Sequence, residues 1–417
     1  MEADLAARYQ TVRAAAPARP DAAGLLALWL DQFTARPLRD EAGRAWTVVQ
    51  PGVPESTGGL RLAEAVLRAE DGELRSGPVT VGGAAPAIDL LAVVWEPGEV
   101  SGPHVALRDQ LAAPWPELAP LLETPAPDFS GGSALSVAEP LPLVRAAGLF
   151  RLRRKARRLK LRRRAVGLRQ LLWEELAGAL GYHRNQAPFR HLARRLPASL
   201  LEPLEAGDRA GLLFGVAGLL PEGDLRALPA PAQDAARILW DRWWKARAAF
   251  DYAVLPASSW SRTQIRPANR PERRLAALAV LLPHLDRLER AVARRDAAAF
   301  ARVCAEAHDP FWSRHAAWKG KPAPKPLLLV GAERLDDLVH NLFWPLVAQE
   351  DPDAAAAALE ALPAAESRPA RQVRELLFGD APARPLRRAL FQQGLLELRR
   401  DAPGAKALER LAGRFAS

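Results

Sequence analysis

The residues with the plainest chemistry are the cations of the stretch 151–164, RLRRKARRLKLRRR. Arg151, Arg153, Arg154, Lys155, Arg157, Arg158, Lys160, Arg162, Arg163 and Arg164 make up ten of its fourteen residues. A guanidinium presents a planar fork of donors that matches phosphate or carboxylate oxygens two at a time, and an ammonium adds a point charge. Ten such groups so close together point to a polyanion. Each phosphate they neutralise would release counterions, so binding would fall with salt. Leu152, Ala156, Leu159 and Val166 recur at helical spacing through the same stretch. The pattern predicts a docked helix with a narrow apolar stripe and a broad cationic surface, rather than a solvated tail. A membrane-surface helix fits less well, because the flanking Phe150 is the one aromatic near the stripe.

Other clusters are weaker. Cys304, His308 and His315 have the spacing C-x3-H-x6-H, and thiolate plus imidazole can bind zinc. Asp309-Pro310 breaks the helix between them and no fourth ligand is evident, so Cys304 reads as a buried small apolar residue and no metal is expected. Trp240, Trp243 and Trp244 sit among Arg242 and Lys245, as on surfaces where bases stack on rings; Trp240 and Trp244, four apart, better suit packing of a helix into a core. The stretch 260–271, WSRTQIRPANRP, places Arg262, Arg266 and Arg270 around Pro267 and Pro271. Those arginines either bind phosphates or brace a loop against helix C-termini. Glycine-rich phosphate loops (GxGxxG, GxxxxGK(S/T)) and the GxSxG elbow are absent, so no nucleotide cofactor or hydrolase serine is indicated and no catalytic residue is assigned.

A chain of 417 residues exceeds the roughly 250–300 at which single cores stop growing, so two domains are expected. The formal net charge of +10 fits a phosphate-bearing partner, although the Arg-rich, Lys-poor composition also fits a coding bias. No apolar run approaches the roughly 18 residues of a membrane span; 25–30 and 90–95 are far shorter. The acidic N-terminus lacks the basic and apolar regions of a signal peptide, and one cysteine cannot form an internal disulfide. These features predict a cytoplasmic protein. They leave its oligomeric state open.

The elements around the basic run follow from periodicity. Residues 3–16 and 21–33 read as helices, the second with Asp21 as N-cap and Leu25, Leu26, Trp29 and Phe33 facing a core. Residues 46–50, 65–69 and 74–81 read as strands, the last two joined by a turn at Asp71-Gly72. The apolar run 87–95 suits a strand covered on both faces. Residues 130–133, Ser-Gly-Gly-Ser, read as a flexible stretch, and the domain joint is expected between 125 and 148. From 151 the helical period dominates, with Gly181 as a C-cap. Helices are predicted at 188–196, 208–219, 232–253, 272–293, 296–307, 333–348, 353–361, 367–378 and 384–400. No fixed repeat is visible. The fold class expected is α+β: a small N-terminal α/β domain over 1–140, then a large, irregular all-α domain over 148–417.

The chain resembles a family of uncharacterised bacterial proteins, domain-of-unknown-function family 2851. In the helical part the likeness rests on Gly181-Tyr182, Asn185, Pro188-Phe189 and Leu196-Pro197; on Phe214-Gly215 and Ala217-Gly218-Leu219-Leu220; and on Trp260, Arg262, Arg266-Pro267, Asn269, Pro271 and Arg274. Trp312, His315, Asn341 and Pro345 continue it. In the front third, Pro51-Gly52-Val53-Pro54 with Gly58 and Gly59 resembles the start of the family's N-terminal motif. Members typically carry there a Gly-Pro-Asp and then a Gly-x-Val-Glu-Ile-His strand, an arrangement similar to the metal-binding carboxylates of PD-(D/E)XK nucleases. The resemblance puts Leu60, Thr80 and Gly82 at the corresponding positions, none of which ligates Mg²⁺ usefully, and it leaves out the following Trp/His/Asp-rich segment between Val81 and Ala87. It therefore implies a degenerate, nuclease-like front domain.

The leading expectation is a non-catalytic protein that binds nucleic acid, with 151–164 as its electrostatic footprint. Two alternatives stand beside it. One is a metal-dependent nuclease whose carboxylates come from Glu55, Glu64, Glu70, Asp71, Glu73 or Asp89. The other is a scaffold whose arginine face meets an acidic protein partner.

Overall fold

The structure is a computed structural model. It describes residues 5, 7–9, 11, 18–34, 37–55, 60–86, 88–122, 140–250, 254–263, 265–379, 384–402, 406 and 407. Gly58, Gly59, Ala87 and the stretch 130–133 lie outside the described residues, as do most of the helix expected over 3–16 and much of the joint expected over 125–148. The architecture is α+β, with a sheet near the N-terminus followed by a large helical region. No described helix is long and apolar enough to cross a membrane.

The chain divides into two compact units, Met1–Arg162 with Trp344–Ser417, and Arg163–Phe343. The joint expected between 125 and 148 lies within the first unit, which also takes in the C-terminal helices.

Strands β1 (Leu38–Arg39), β2 (Ala45–Gln50), β3 (Val53–Pro54), β4 (Arg61–Ala69), β5 (Leu74–Val81), β6 (Leu91–Val94) and β7 (His104–Ala106) form one sheet in the order β1-β2-β4-β5-β6-β7, with β3 also on β4. Pairing is antiparallel up to β4–β5 and parallel for β5–β6 and β6–β7. Gly72, at φ +90°, supplies the positive φ of the β4–β5 turn. The run expected as a strand over 87–95 shortens to β6, whose four residues are all buried, as a parallel strand covered on both faces requires.

The helices of seven or more residues that carry the argument are α1 (Ala22–Asp31), α2 (Pro140–Leu180), α3 (Tyr182–Arg195), α4 (Ala206–Val216), α5 (Ala230–Ala246), α6 (Pro271–Leu281), α7 (Leu285–Ala293), α8 (Ala297–Ala305), α9 (Ala332–Leu338), α10 (Pro352–Ala361), α11 (Arg368–Phe378) and α12 (Ala389–Asp401). Asp21 caps α1 as expected, its Oδ1 accepting from the Gly24 N–H at 2.7 Å. The single helix expected over 272–293 is two, because Leu282-Pro283-His284 forms a 3₁₀ turn where proline lacks the N–H a helix needs. The helix expected over 333–348 contains a π-helical turn, Val339–Phe343. Gly181 does not cap α2 in a left-handed conformation. It sits at φ −64°, and Tyr182 takes the positive φ instead, at +56°.

In the first unit the core lies between the sheet and α1, with Leu28, Trp29, Leu62, Leu67, Val79, Val93 and Val105 among its members, and Leu161 of α2 reaches the same core. In the second unit the largest fully buried side chains include Trp173, Phe189, Phe214, Phe300 and Phe343. Helices α4 and α5 approach closely there: a Cβ on Gly215 would meet the Trp243 ring at 2.1 Å. Trp243 is therefore the core tryptophan of α5. Trp240 is half-buried, and Trp244, expected in the core, is 63% exposed with the Arg247 guanidinium 4.6 Å from its ring.

Candidate nucleic-acid interface

Helix α2 begins eleven residues before the basic run and carries it through to a break at Gly167, whose φ of +81° and ψ of 165° are not helical. The expected apolar stripe is present: Leu152, Ala156 and Leu159 are buried, Val166 is half-buried, and Leu161 is buried too. The ten cations separate into rows.

One row faces α12. Two glycines bring the helices together: a Cβ on Gly394 would stand 1.9 Å from the Val144 carbonyl oxygen, and one on Gly148 would stand 2.4 Å from that of Leu390. Only the absence of side chains permits this approach. Glu397, whose side chain is wholly buried, accepts from Arg151 Nη1 at 2.9 Å, Arg154 Nη2 at 3.0 Å and Arg400 Nη1 at 3.2 Å. One turn back on α12, Gln393 Oε1 accepts from Arg151 Nε and Lys155 Nζ, both at 2.8 Å. Burial alone would raise the Glu397 pKa, but the charges of Arg154, Arg151 and Arg400 outweigh it and hold it at about 2. Burial lowers Arg154 to about 10, with Arg400 and Arg151 adding repulsion that Glu397 opposes. Burial, with Arg151 and Arg154 close by, holds the Lys155 ammonium well below its usual value. Arg151, Arg154 and Lys155 thus have a partner inside the first unit.

The second row faces out. Arg153, Arg157 and Lys160 are exposed, at the i, i+4, i+7 spacing of one helix face. Arg157 pairs with Glu117, both side chains close to half exposed. Arg158 is half-buried and Arg162 is buried at 6% exposure. Arg163, half-buried, and Arg164, exposed, begin the second unit.

The acids of the front third lie in separate places. Glu70, Asp71 and Glu73 are exposed around the β4–β5 turn, and Glu64 occupies a left-handed position, φ +57°, at the register shift in β4. Glu55 and Asp89 come together on Arg61, which donates to Glu55 at 2.8 Å and to Asp89 at 2.7 Å. The Asp89 side chain is wholly buried and also accepts from the Thr80 hydroxyl at 2.6 Å. Its burial would raise the carboxyl pKa, but the hydrogen bonds from Arg61 and Thr80 overcome this and leave it below the usual range. Of the three positions expected to match the nuclease carboxylates, Thr80 is this donor, and Leu60 precedes β4. Gly82, at φ +75°, lines an open cavity of about 510 Å³ with Arg19, Asp21 and Glu99. Among the described residues no group of three or more His, Cys, Asp or Glu could hold a metal ion. Cys304 is fully buried, its thiol pushed up to about 12 by burial, while His308 is exposed.

The signature residues of the helical part mostly brace loops within the second unit. Trp260 donates from Nε1 to the Ala217 carbonyl at 2.7 Å. Arg262 pairs with Glu272 at 3.2 Å, and Arg266 and Arg270 are exposed. Asn269 accepts from Arg274, which also donates to the Leu329 carbonyl at 2.6 Å. Trp312 stacks on Phe214 with ring centroids 6.0 Å apart. His315 stacks on Phe311 at 4.1 Å and donates from Nδ1 to the Phe311 carbonyl at 2.9 Å. Asn341 is half-buried within the π-helical turn.

Sequence reasoning missed Glu397 and Arg273. A signal existed for Glu397: Gln393 and Glu397 form a polar pair at i, i+4 beside Gly394 in an otherwise apolar helix face. For Arg273 the signal was its place next to Arg274 in the first turn after Pro271, but nothing there told inward from outward.

A family model described as a protein of unknown function, DUF2851, matches residues 141–363, more than half of the chain. No curated protein and no solved structure matches it.

Proposed function

We propose that this chain, which belongs to the DUF2851 family, binds nucleic acid in the cytosol through the exposed row Arg153, Arg157 and Lys160 of its basic helix. The observation that carries the reading is the division of the run into rows. Glu397 and Gln393 hold Arg151, Arg154 and Lys155, while Arg153, Arg157 and Lys160 are exposed on one face of the helix. Seven residues of helix span about 10 Å, the reach of two or three phosphates along a strand. The Arg157–Glu117 pair is no obstacle, since exposed pairs are worth only about 0–1 kcal/mol and a phosphate can displace the carboxylate.

The front domain supports binding without cleavage. Metal-dependent phosphodiester cleavage needs carboxylates around a divalent cation that activates water. Here the Arg61 guanidinium itself sits between Glu55 and Asp89, where such a cation would have to stand. On this reading the two acids are satisfied internally, and the front domain is a degenerate nuclease-like one that binds without cutting.

Fluorescence anisotropy of labelled DNA and RNA across a salt series tests the proposal. Changing Arg153, Arg157 and Lys160 together to Glu lowers affinity and reduces the slope of log K against log salt by about 2 to 2.7 for three lost phosphate contacts. An unchanged slope sinks the proposal. Mg²⁺- or Mn²⁺-dependent cleavage would overturn the degenerate-site reading, and capture of an acidic protein that survives nuclease treatment would replace nucleic acid as the partner.

A further inference from the structure

Arg273 and Arg274 stand side by side in the first turn of α6, and neither has a carboxylate as hydrogen-bond partner. Arg273, 1% exposed, donates to the main-chain oxygens of Trp312, Ala268, Leu327 and Leu328 at 2.9–3.2 Å. Arg274, 6% exposed, donates to Leu329 and Asn269 and keeps its Nε buried with no acceptor. Arg334 is close enough to act electrostatically on Arg274, and its Nε is likewise buried with no acceptor. Its ion pair is with the half-exposed Asp337, at 2.9 Å. The Arg334 guanidinium lies 4.2 Å from the centroid of the Tyr182 ring. Tyr182 holds a φ of +56°, which side-chain-bearing residues seldom adopt, and strained positions of this kind gather at ligand sites. The π-helical turn Val339–Phe343 directly follows α9, which carries Arg334; such turns also recur at functional sites.

Arg334 and Arg273 both repel the buried Arg274, and buried charge without a counter-charge is strongly unfavourable. Phosphate monoesters carry about −1.5 to −2 and offer three acceptor oxygens, which suits both the charge and the two unused Nε donors.

We propose that Arg274, Arg334 and Tyr182 form a binding site for a dianionic phosphate group, free or as a monoester. The site belongs to the second unit, shares no residue with the basic row proposed for nucleic acid, and does not depend on that reading. The half-exposed edge of Tyr182 is the way in.

Isothermal titration calorimetry of the full chain with inorganic phosphate, at ionic strength held constant with chloride, tests it. Saturable binding is expected, weakened roughly tenfold or more in Arg334→Gln by the loss of one charge-assisted donor set. Tyr182→Phe, which removes only a hydroxyl, weakens it as well and carries the test if Arg334→Gln does not fold. Changing Arg153, Arg157 and Lys160 to Glu leaves phosphate affinity unchanged. Dimethyl phosphate, a single charge, binds at least about tenfold more weakly. No saturable phosphate binding, undiminished affinity in the Arg334 and Tyr182 variants, or equal binding of dimethyl phosphate overturns the proposal. A glucose 6-phosphate arm separates sources: tighter binding than inorganic phosphate identifies a monoester, and weaker binding the free ion.

Discussion

Replacing Glu397 by Gln removes the one negative charge that Arg151, Arg154 and Arg400 share. Its pKa of about 2 in the folded chain, against an ordinary 4.5, corresponds to about 3 kcal/mol favouring the charged form. Mutation at neutral pH gives a similar figure by another route, since leaving a buried partner without its counter-charge costs about 3–5 kcal/mol and Arg154 is only 9% exposed. A loss of about 3 kcal/mol lowers the melting temperature of a unit of this size by roughly 6–12 °C. The pH dependence has a definite sign. The folded pKa lies below the unfolded one, so the contribution is complete above about pH 4.5 and is lost as pH falls through about 2. By pH 3 roughly 2 of the 3 kcal/mol are gone, so the gap between wild type and Glu397→Gln narrows by more than half. Calorimetric melts of both proteins at pH 7, 5, 4 and 3 measure this. A gap under about 2 °C at pH 7, or one that stays constant down to pH 3, would refute the reasoning. The double change Arg154→Met, Glu397→Met is expected to recover part of the loss, because it removes the most buried of the three stranded cations, while Arg151 and Arg400, at 19% and 17% exposure, keep some access to water.

Gly394→Ala would drive a Cβ to 1.9 Å from the Val144 oxygen, so α2 and α12 must separate, and destabilisation of about 1–3 kcal/mol or more follows. Gly83→Ala, with nothing within 4 Å of the added Cβ, serves as the control and leaves the thermal melt unchanged. Arg61→Met strands the wholly buried Asp89 carboxylate without its cation, so the melting temperature of the first unit falls, and Asp89→Asn in the same chain restores part of it. A melt unmoved by Arg61→Met would show that the Thr80 hydroxyl alone suffices for Asp89.

Periodicity carried the α+β class, the β4–β5 turn at Gly72, the cap at Asp21 and the docked stripe of α2, because each is a local consequence of backbone geometry and apolar spacing. The division into units was not legible. Gly148 and Gly394 lie far apart in sequence, and only a close approach of two helices reveals why both lack a side chain. The same holds for Glu397. Its i, i+4 companion Gln393 was visible, but its destination opposite Arg151 and Arg154 was not. Arg262, Arg266 and Arg270 stayed undecided in the sequence because a guanidinium serves phosphates and carbonyls with the same fork. The fold separates them: Arg262 goes to Glu272, Arg266 and Arg270 go to solvent, and Arg273 and Arg274 turn inward.

The division of the run also bears on why it is so basic. A coding bias toward arginine would spread cations over every exposed position alike. Inward cations, however, must be matched, and Glu397 and Gln393 match Arg151, Arg154 and Lys155 within the first unit. That row is explained by stability, since losing its carboxylate would leave charge buried. The outer row is not. Arg153, Arg157 and Lys160 are exposed, where like charges at i, i+4 weaken a helix by a few tenths of a kcal/mol and exposed pairs contribute little. An anionic ligand along that exposed face would turn the repulsion between these like charges into binding, which the salt slope of the triple Glu variant measures directly.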